Sequence, residues 1–369
     1  MRVLLVTQDF PPDRGGIQTY CDELAQALDA RGHAVAVVCP DVGRGYARPT
    51  VPVHRLRGPG SWLFVPWAAR ARSLVRAHEA THVLYAQWQL AVLTPRLGVP
   101  AGCLVHGREL LTSVLDPATP WLLPRVFGGF EAAFPVSRHV ERLLGARTSM
   151  VASKVHRVAP GVDPDRFAPR EPERRAVLRS AHGLGPEHVV LLGVGRLAAR
   201  KNYDRVIACL PALIARNPNV RLVLGGTGPC APALEAQARA LGVTDQVRFL
   251  GELTDAELPD VYALGDVFVL PSRGGRKDVE GFGIVFLEAA ACGLPAVATR
   301  SGGIEDAVVD DVTGLLLPED EPEALARALQ RLVEDAELRR RLAEAARRRI
   351  VTSLTWDDTA AGIEAGLSR

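Results

Sequence analysis

The chain lacks long apolar runs and is poor in aromatic residues, which make up 5% of its 369 residues. No stretch approaches about 18 uninterrupted apolar residues, the length that a helix needs to cross a bilayer, so a membrane-spanning helix is excluded. The short apolar run after Met1 has neither a basic leader nor a small-residue cleavage site, and a signal peptide is therefore not predicted. We expect the protein to act in the cytoplasm.

Cysteine motifs and dinucleotide fingerprints are also missing. The six cysteines are scattered, without a CxxC pair or a neighbouring histidine cluster, so neither a disulfide framework nor a zinc site is predicted. No GxGxxG sequence follows the first strand-like run, and a nicotinamide cofactor is therefore not indicated. The sequence predicts free thiols and no resident cofactor.

Lysine is nearly absent, with Lys154, Lys201 and Lys277 standing against 41 arginines. Charge is also unevenly spread, since residues 1–160 hold 18 Lys and Arg against 11 Asp and Glu, whereas residues 161–369 hold 26 against 31. A basic half beside an acidic half favours two domains that meet different partners. An anionic acceptor or a peripheral contact with a membrane fits the basic half, as does ordinary solvated charge. No nucleic-acid partner is predicted.

What the sequence does contain is a regular alternation of short apolar runs with helical patterns, which indicates βαβ units and parallel sheets. The predicted strands are 2–7, 33–38, 82–86, 101–105, 131–136, 155–159, 188–194, 220–225, 246–250, 266–270, 295–299 and 314–317. The predicted helices are 17–31, 64–79, 88–97, 138–145, 203–216, 230–241, 255–263, 283–292, 321–333, 335–349 and 355–367.

Residues 159–170, dense in proline and glycine, interrupt this alternation and are predicted to be an interdomain linker. We expect an N-terminal domain at 1–160 and a C-terminal domain at 161–350. The sequence leaves open whether the last segment, 351–369, packs back on the first domain. The predicted fold class is α/β, with two Rossmann-like, doubly wound domains facing a central cleft. Ligands of such sheets lie at the carboxyl ends of the strands.

The strongest motif is Glu280-Gly-Phe-Gly-Ile-Val-Phe-Leu-Glu288, in which two carboxylates stand eight residues apart across a loop-to-helix junction. The amides of Phe282, Gly283 and Ile284 are predicted to lie at the helix start, where N–H groups lack partners and the dipole is positive. Such a helix start binds anions, and the glycines let the backbone approach a phosphate or a sugar closely. An ordinary loop-to-helix junction does not account for all these features together.

A second motif, Gly193-Val-Gly-Arg196-Leu-Ala-Ala-Arg-Lys201-Asn202, follows the predicted strand 188–194. Arg196 and Lys201 are predicted to stabilise the charge that builds on a departing diphosphate, a role that a metal ion otherwise fills. Lys201 stands out because the chain uses arginine nearly everywhere else, and an ammonium is not equivalent to a guanidinium fork. Basic loops are often only solvated surface, but the pairing with the first motif favours a functional site.

The pairing of Gly-Arg-Leu-x3-Lys-Asn with Glu-Gly-Phe-Gly-x4-Glu resembles glycosyltransferase family four, a group of retaining enzymes with the GT-B fold. The similarity covers most of the chain and is densest over residues 188–317. Within it, residues 273–288 are more similar to the phosphatidylinositol mannosyltransferase branch than to the glycogen or sucrose synthase branches. The resemblance implies an acceptor-side N-terminal domain and a C-terminal domain that binds a nucleotide-sugar donor.

The resemblance also implies roles for the motif residues. The residues that match Arg196 and Lys201 hold the donor diphosphate. The residue that matches Glu280 faces the transferred sugar, and the one that matches Glu288 binds the ribose. Neither a metal ion nor a cofactor is implied.

Two N-terminal positions fit the same resemblance. Gly16, within Phe10-Pro-Pro-Asp-Arg-Gly-Gly-Ile17, matches a family position that touches the donor phosphates when the domains close. His106 follows the fourth predicted strand and matches a position beside the reacting sugar, although a lone histidine at a strand end is as often structural. Arg108 and Glu109 are predicted to line the acceptor side.

Three other motifs are interpreted as structural or left open. Asp163-Pro-Asp165 resembles a DxD metal motif, but it lies in the proline-rich linker, where aspartates commonly form turns. Gly225-Gly-Thr-Gly-Pro229 resembles a phosphate loop and is predicted to be a tight strand-to-helix turn that borders the nucleotide pocket. Residues 62–78, with Trp62, Trp67 and three arginines, fit either an interfacial amphipathic helix or a core helix.

These predictions combine into a retaining, metal-independent hexosyltransferase. The predicted donor is a nucleotide diphosphate sugar, with GDP-mannose favoured over a UDP-sugar, and the acceptor is a hydroxyl of a lipid, a glycan or a small molecule. One alternative is a nucleotide-sugar epimerase or hydrolase of the same fold, and the other is a non-catalytic sugar-binding protein. The predicted catalytic residues are Arg196, Lys201, Glu280 and His106. The predicted donor-binding residues are Gly16, Arg196, Lys201, Glu280, Phe282, Gly283, Ile284 and Glu288.

Overall fold

The computed structural model describes residues 1–13, 15–41, 50–56, 64–92, 97–112, 118–275, 279–319 and 321–368, with the backbone alone for residues 64–69. The chain divides into two compact units, one of Met1–Gly161 with Trp356–Arg369 and one of Val162–Thr355. They are called the N-terminal unit and the C-terminal unit below. Of the helices in the described ranges, none has the length and apolar character to cross a membrane.

Each unit contains a parallel sheet, with six strands in the described residues. The N-terminal sheet has the order β3-β2-β1-β4-β5-β6, with β1 Arg2–Val6, β2 Ala34–Pro40, β3 Val53–Leu56, β4 His82–Tyr85, β5 Ala101–Val105 and β6 Ala132–Pro135. The C-terminal sheet has the order β12-β11-β10-β7-β8-β9, with β7 Val189–Val194, β8 Val220–Gly225, β9 Val247–Gly251, β10 Val267–Leu270, β11 Ala296–Thr299 and β12 Gly314–Leu317.

Helices alternate with these strands along the chain. They are α1 Gly16–Ala30, α2 Phe64–Ala77, α3 Arg108–Leu111, α4 Thr119–Phe127, α5 Arg138–Arg147, α6 Pro172–Ala181, α7 Tyr203–Arg216, α8 Ala231–Ala240, α9 Leu258–Tyr262, α10 Ile284–Ala291, α11 Ile304–Ala307, α12 Pro322–Glu334, α13 Ala336–Ser353 and α14 Trp356–Leu367. Short 3-10 turns occupy Trp88–Val92, Ala152–Lys154, Ala199–Lys201 and Thr244–Gln246.

The first strand of each unit is buried along most of its length. Leu4 and Leu5 of β1 and Leu191 and Leu192 of β7 have at most 1% of their surface exposed. Apolar runs of this kind are typical of parallel sheets with both faces covered. Because neighbouring strands are parallel, their carboxyl ends lie at one edge of each sheet, and the loops that follow β7 and β10 carry both predicted motifs.

Most of the predicted elements are confirmed, with small shifts at their ends. Helix 203–216 and strands 220–225 and 314–317 are confirmed to the residue. The predicted strand 155–159 is wrong, because only Val155 pairs, in an isolated bridge to Ala133 of β6.

The predicted helix 88–97 is also wrong in type, since its described part is the 3-10 turn Trp88–Val92. The sequence did not predict strand β3 or helices α3, α4, α6 and α11. Strand β3 and helices α3 and α11 are each four residues long, and α4 contains a proline in its interior. The hydrophobic period is therefore a poor guide to them.

The predicted linker contains the passage between the units, between Gly161 and Val162. Asp163 Oδ1 accepts hydrogen bonds from the amides of Asp165 and Arg166, both at 3.0 Å. This contact fixes a turn, as the sequence predicted for this Asp-Pro-Asp segment.

Helix α14 belongs to the N-terminal unit, although it ends the described chain. The ring of Trp356 meets the ring of Tyr20 edge to face, with centroids 5.5 Å apart. At the surface, the guanidinium of Arg31 pairs with Asp357 at 2.8 Å and with Glu364 at 2.9 Å. The helix therefore supplies part of the core that covers α1.

Candidate active site

A cluster of opposite charges lies at the carboxyl edge of the C-terminal sheet. Lys201 Nζ and Arg200 Nη1 both donate to Glu280 Oε2, each at 2.6 Å. Lys201 is 7% exposed, and the Glu280 side chain is 14% exposed. Arg200, Lys201 and Glu280 are called the charged cluster below. It joins the loop after β7 to the loop before α10, which lie far apart in the sequence.

The charged cluster keeps Glu280 ionised. Burial alone would raise the pKa of Glu280, but the ammonium of Lys201 and the guanidinium of Arg200 outweigh it and hold that pKa at about 2. The Glu280 carboxylate therefore pairs with two cations in a largely buried place. An incoming diphosphate would compete with Glu280 for these cations.

Arg196 lies in the same loop but is exposed, and among the described residues its side chain makes no ion pair. The loop around it is well held, since Gly195 donates to the Gly225 carbonyl at 2.9 Å and Leu197 donates to the Thr227 carbonyl at 2.8 Å. A Cβ at Gly226 would overlap the Gly195 carbonyl. The Gly225–Pro229 segment is thus a tight strand-to-helix turn, as predicted, and it supports the Arg196 loop.

The start of α10 has the features that the glycines predicted. Gly283 is the N-cap residue, with φ of 91°. It has no side chain that could accept hydrogen bonds from the first amides of the helix. A Cβ there would lie 2.7 Å from the ring of Phe286 and 3.6 Å from Glu280 Cγ, so Glu280 approaches this helix start closely. Phe282, at 4% exposure, is buried beneath the turn and anchors it. Ile284 is the first helical residue.

Glu288 lies one turn further into α10 and is 7% exposed. Its Oε2 accepts a hydrogen bond of 2.6 Å from the hydroxyl of Tyr262, which is fully buried at the end of α9. Burial, first, and the adjacent carboxylate, second, raise the pKa of Tyr262 well above its usual value. The phenol is therefore a permanent hydrogen-bond donor to Glu288.

The N-terminal unit carries a different, mostly uncharged set of polar groups. Asp9, in the loop after β1, accepts from Gln18 Nε2 at 2.9 Å and from Gln87 Nε2 at 2.7 Å. Burial, followed by the charge of Asp13, raises the pKa of Asp9. These amide groups fix the loop before α1.

Gly16 begins α1 and is exposed. A Cβ at Gly16 would meet nothing within 4 Å, so packing within the described chain does not require glycine there. The N-cap residue Gly15 gives no side-chain hydrogen bond to the first turn. Within the described residues, nothing covers the position that a Cβ of Gly16 would take.

His106 follows β5, where the sequence predicted a site residue. Burial lowers the pKa of His106 to about 4, so the ring is neutral at pH 7. The ring meets that of Tyr20 at 5.1 Å, edge to face, and within the described chain its Nε2 has no hydrogen-bond partner. A buried, unpaired ring nitrogen is costly unless a ligand satisfies it.

The expectation that Glu109 lines an acceptor surface is not supported. Glu109 is 8% exposed, and its Oε1 accepts from the amides of His106 at 2.6 Å and Gly107 at 3.1 Å. It therefore shapes the loop that carries His106. Arg108 is exposed beside it.

Of the helix predicted within residues 62–78, Trp62 lies outside the described residues, as does the side chain of Trp67. Leu74 and Val75 of α2 are buried, which fits a core helix. Arg70, Arg72 and Arg76 are exposed, so the helix presents a basic face to solvent.

Sequence reasoning missed Arg200 and Tyr262 in the C-terminal unit and Asp9, Gln18 and Gln87 in the N-terminal unit. Arg200 was adjacent to a predicted residue, and its position beside Lys201 was the available signal. The others become visible only through contacts between distant segments. Within the described ranges, no group of three or more His, Cys, Asp or Glu side chains has an arrangement that could hold a metal ion.

Comparisons with known proteins fit this arrangement. Residues 175–349 match the family described as glycosyl transferases group 1, and residues 14–166 match the one described as glycosyltransferase family 4. A GDP-mannose-dependent alpha-(1-6)-phosphatidylinositol monomannoside mannosyltransferase of Mycobacterium tuberculosis is 36% identical over 98% of this chain and 96% of its own length. Its counterpart in Mycolicibacterium smegmatis is 37% identical over 90% of this chain and 89% of its own.

Among solved structures, HepE of Anabaena in complex with UDP superposes with a TM-score of 0.81, covering 100% of both chains at 21% identity. At that identity the likeness speaks for the fold alone, and the fold is GT-B. The relatives are transferases, which disfavours an epimerase, a hydrolase or a non-catalytic sugar-binding protein. The chain therefore belongs to glycosyltransferase family four and is a hexosyltransferase.

Proposed function

We propose that the enzyme transfers a mannosyl group from GDP-mannose to a hydroxyl of a phosphatidylinositol-type glycolipid, with retention of configuration and without a metal ion. The observation that carries the proposal is the charged cluster beside the open start of α10. Relatives named as GDP-mannose-dependent phosphatidylinositol mannosyltransferases, similar over nearly the whole chain, support the choice of donor and acceptor.

The diphosphate is the leaving group of this reaction. The bond between the sugar C1 and the diphosphate oxygen breaks with its electron pair on the diphosphate. Lys201 and Arg196 then stabilise the added charge, together with the first amides of α10. The acceptor oxygen bonds to C1 on the face that the diphosphate leaves, and its proton passes to the departing phosphate oxygen.

Glu280 is proposed to exchange partners during donor binding. In the structure it pairs with Lys201 and Arg200. When the diphosphate takes Lys201, the carboxylate remains paired with Arg200 and can accept a hydroxyl of the transferred sugar. His106 keeps the role that the family resemblance gives it, with its neutral ring contacting the sugar.

The basic face of α2 supports a peripheral association with an anionic membrane surface on the cytoplasmic side. Arg70, Arg72 and Arg76 are exposed on that helix. Juxtaposed arginines attract anionic lipids by about 1 kcal/mol each near a charged surface. Sedimentation with vesicles of phosphatidylglycerol tests this part separately, and no sedimentation at low salt would refute it.

Inositol phosphate is a second candidate acceptor, since a D-inositol 3-phosphate glycosyltransferase of Actinosynnema mirum is 33% identical over 90% of this chain and 87% of its own length. Incubation with labelled GDP-mannose or a UDP-sugar, and with either glycolipid or inositol phosphate, distinguishes the two. We expect transfer from GDP-mannose to the glycolipid.

The nucleotide is tested first by thermal shift with GDP, UDP and ADP. Because a ligand that binds only the native state raises its stability, GDP should raise the Tm most. A larger shift with UDP would overturn the choice of donor. Metal independence is tested with pure enzyme in EDTA, where we expect full turnover. Loss of turnover that magnesium restores would overturn this part.

A further inference from the structure

The buried hydrogen bond between Tyr262 and Glu288 connects a fixed phenol with a carboxylate that the family resemblance assigns to the donor. The hydroxyl lies 2.6 Å from Glu288 Oε2 and 3.4 Å from the Val285 carbonyl. A hydroxyl has one proton, and it goes to the nearer, ionisable acceptor. Tyr262 is fully buried, so water does not replace this donor.

Tyr262 is held from both ends of its short helix. Asp260 of α9 accepts from Arg170 at 2.8 Å and from Arg174 at 2.6 Å. Immediately after α9, Arg175 donates to the carbonyls of Ala263 at 2.9 Å and Gly265 at 2.8 Å. Arginines at the start of α6 and just before it therefore fix the backbone on either side of the tyrosine.

The ring of Tyr262 is fixed as well. It meets the ring of Phe167 edge to face at 5.9 Å and the ring of Phe268 at 6.0 Å. The buried ring and its hydroxyl therefore give Glu288 Oε2 a defined position. The terminal torsion of a glutamate is broad and roughly two-fold, and this hydrogen bond favours the orientation that places Oε2 beside the phenol.

We propose that Tyr262 is a positioning residue for donor binding, which orients the Glu288 carboxylate so that it accepts the hydroxyls of the donor ribose. This inference rests on the proposed function, because it needs a nucleotide-sugar donor, and on the ribose-binding role that the family resemblance implies for Glu288. Tyr262 itself does not touch the donor. Its effect is on recognition of the ribose and not on the cleavage step.

The test is Tyr262→Phe, which removes one oxygen and keeps the ring between its aromatic neighbours. We expect KM for GDP-mannose to rise about tenfold, the effect of losing one hydrogen bond to a charged group, while kcat changes less than about twofold. The ratio of affinities for GDP and 2′,3′-dideoxy-GDP, measured by calorimetry, should fall toward one. This ratio isolates the ribose hydroxyls.

The matched control is Phe167→Leu, which loosens the packing around Tyr262 and keeps its hydroxyl. It should lower Tm and, because the hydroxyl remains, lower the GDP to dideoxy-GDP ratio less than Tyr262→Phe does. If Tyr262→Phe lowers Tm and leaves the ratio unchanged, the tyrosine is only structural and the inference is wrong.

Glu288→Gln separates failure of the positioning role of Tyr262 from failure of the ribose-binding role of Glu288, while turnover of GDP-mannose by the wild type tests the proposed function by itself. If Glu288→Gln collapses the ratio and Tyr262→Phe does not, only the positioning role of Tyr262 is lost. If Glu288→Gln leaves the ratio intact, Glu288 does not bind the ribose, and both ideas are lost. If the ratio falls toward one in each single variant and falls no further in the double variant, the inference is supported.

Discussion

The two units place six parallel strands in the same relative order, with the first strand of each unit near the middle of its sheet. Yet the groups that follow these strands differ in kind. The C-terminal unit carries the charged cluster, whose carboxylate stays ionised far below neutral pH. The N-terminal unit carries a neutral histidine and an aspartate with a raised pKa, held by two side-chain amides.

This difference separates fold from function. One topology supports two chemistries because loops at the carboxyl ends of the strands carry the reacting groups, while the strands provide the core. Charge is concentrated where a diphosphate is proposed to bind. The neutral ring of His106, on the N-terminal unit, is proposed to contact the sugar.

The largest effect is expected from Lys201→Ala. Removing a cation that stabilises the leaving group should lower kcat by about a hundredfold to a thousandfold, with the circular dichroism spectrum unchanged and Tm lowered, because Glu280 loses a buried partner. The control is Lys154→Ala in the N-terminal unit, whose ammonium pairs at the surface with Glu131 at 3.0 Å. Near-normal turnover of the Lys201 variant would remove the charged cluster from the mechanism.

Next in size is the loss of Trp356, which tests whether the two units unfold independently. Trp356→Ala should destabilise the N-terminal unit by about 3 kcal/mol, because a buried indole against Tyr20 is lost. The control Trp121→Ala removes an indole that is 73% exposed and should be nearly neutral. Amide hydrogen exchange should become faster in the N-terminal unit alone. An equal increase in both units would show that they do not unfold independently.

A smaller effect, opposite in sign, is expected from Glu280→Gln. Without the carboxylate, the positive charge of Lys201 and Arg200 is less fully neutralised, so GDP should bind about fivefold more tightly at low salt while kcat falls. Calorimetry at low and high salt measures the affinity for GDP. The control is Glu131→Gln, which removes a carboxylate from the N-terminal unit. Weaker GDP binding would mean that Glu280 holds the cations in place and does not compete for them.

The smallest effect is a difference in pH response. Burial lowers the pKa of His106 from 6.5 to about 4. Between pH 4 and 6.5, the unfolded chain therefore binds a proton at His106, whereas the native chain does not. The resulting stability is complete above pH 6.5 and is lost as pH falls toward 4. Glu280, lowered from 4.5 to about 2, loses its contribution only below pH 4.5.

Calorimetric melting at a series of pH values checks this expectation. Between pH 6.5 and 4, the Tm of the N-terminal unit should fall less steeply in His106→Asn than in the wild type. The melting of the C-terminal unit should be the same in both. Parallel curves for the N-terminal unit would show that His106 is not held neutral by burial.

Much of the C-terminal unit could be predicted because its signals are local. Helix 203–216 and its neighbouring strand have strong periodicity, and the glycines around Phe282 mark a loop-to-helix junction directly in the sequence. The charged residues of both motifs also lie within short segments. Such local patterns can be recognised in the sequence without knowledge of the fold.

The remainder depends on contacts across the fold. The bond between Tyr262 and Glu288 spans 26 positions, and the bonds that fix Asp9 include one that spans 78. Glu109 has the sequence of an exposed loop residue, yet its carboxylate turns inward to two amides. Sequence periodicity does not predict these hydrogen-bond partners, because tertiary packing alone brings them next to the side chains.

Helix α14 also has a consequence for synthesis. The ribosome makes the N-terminal sheet first and the helix that completes its core last, after the whole of Val162–Thr355. A nascent chain that stops before Trp356 leaves one side of Tyr20 uncovered. The C-terminal unit, which is continuous in sequence, can therefore finish folding before the N-terminal unit that preceded it out of the ribosome.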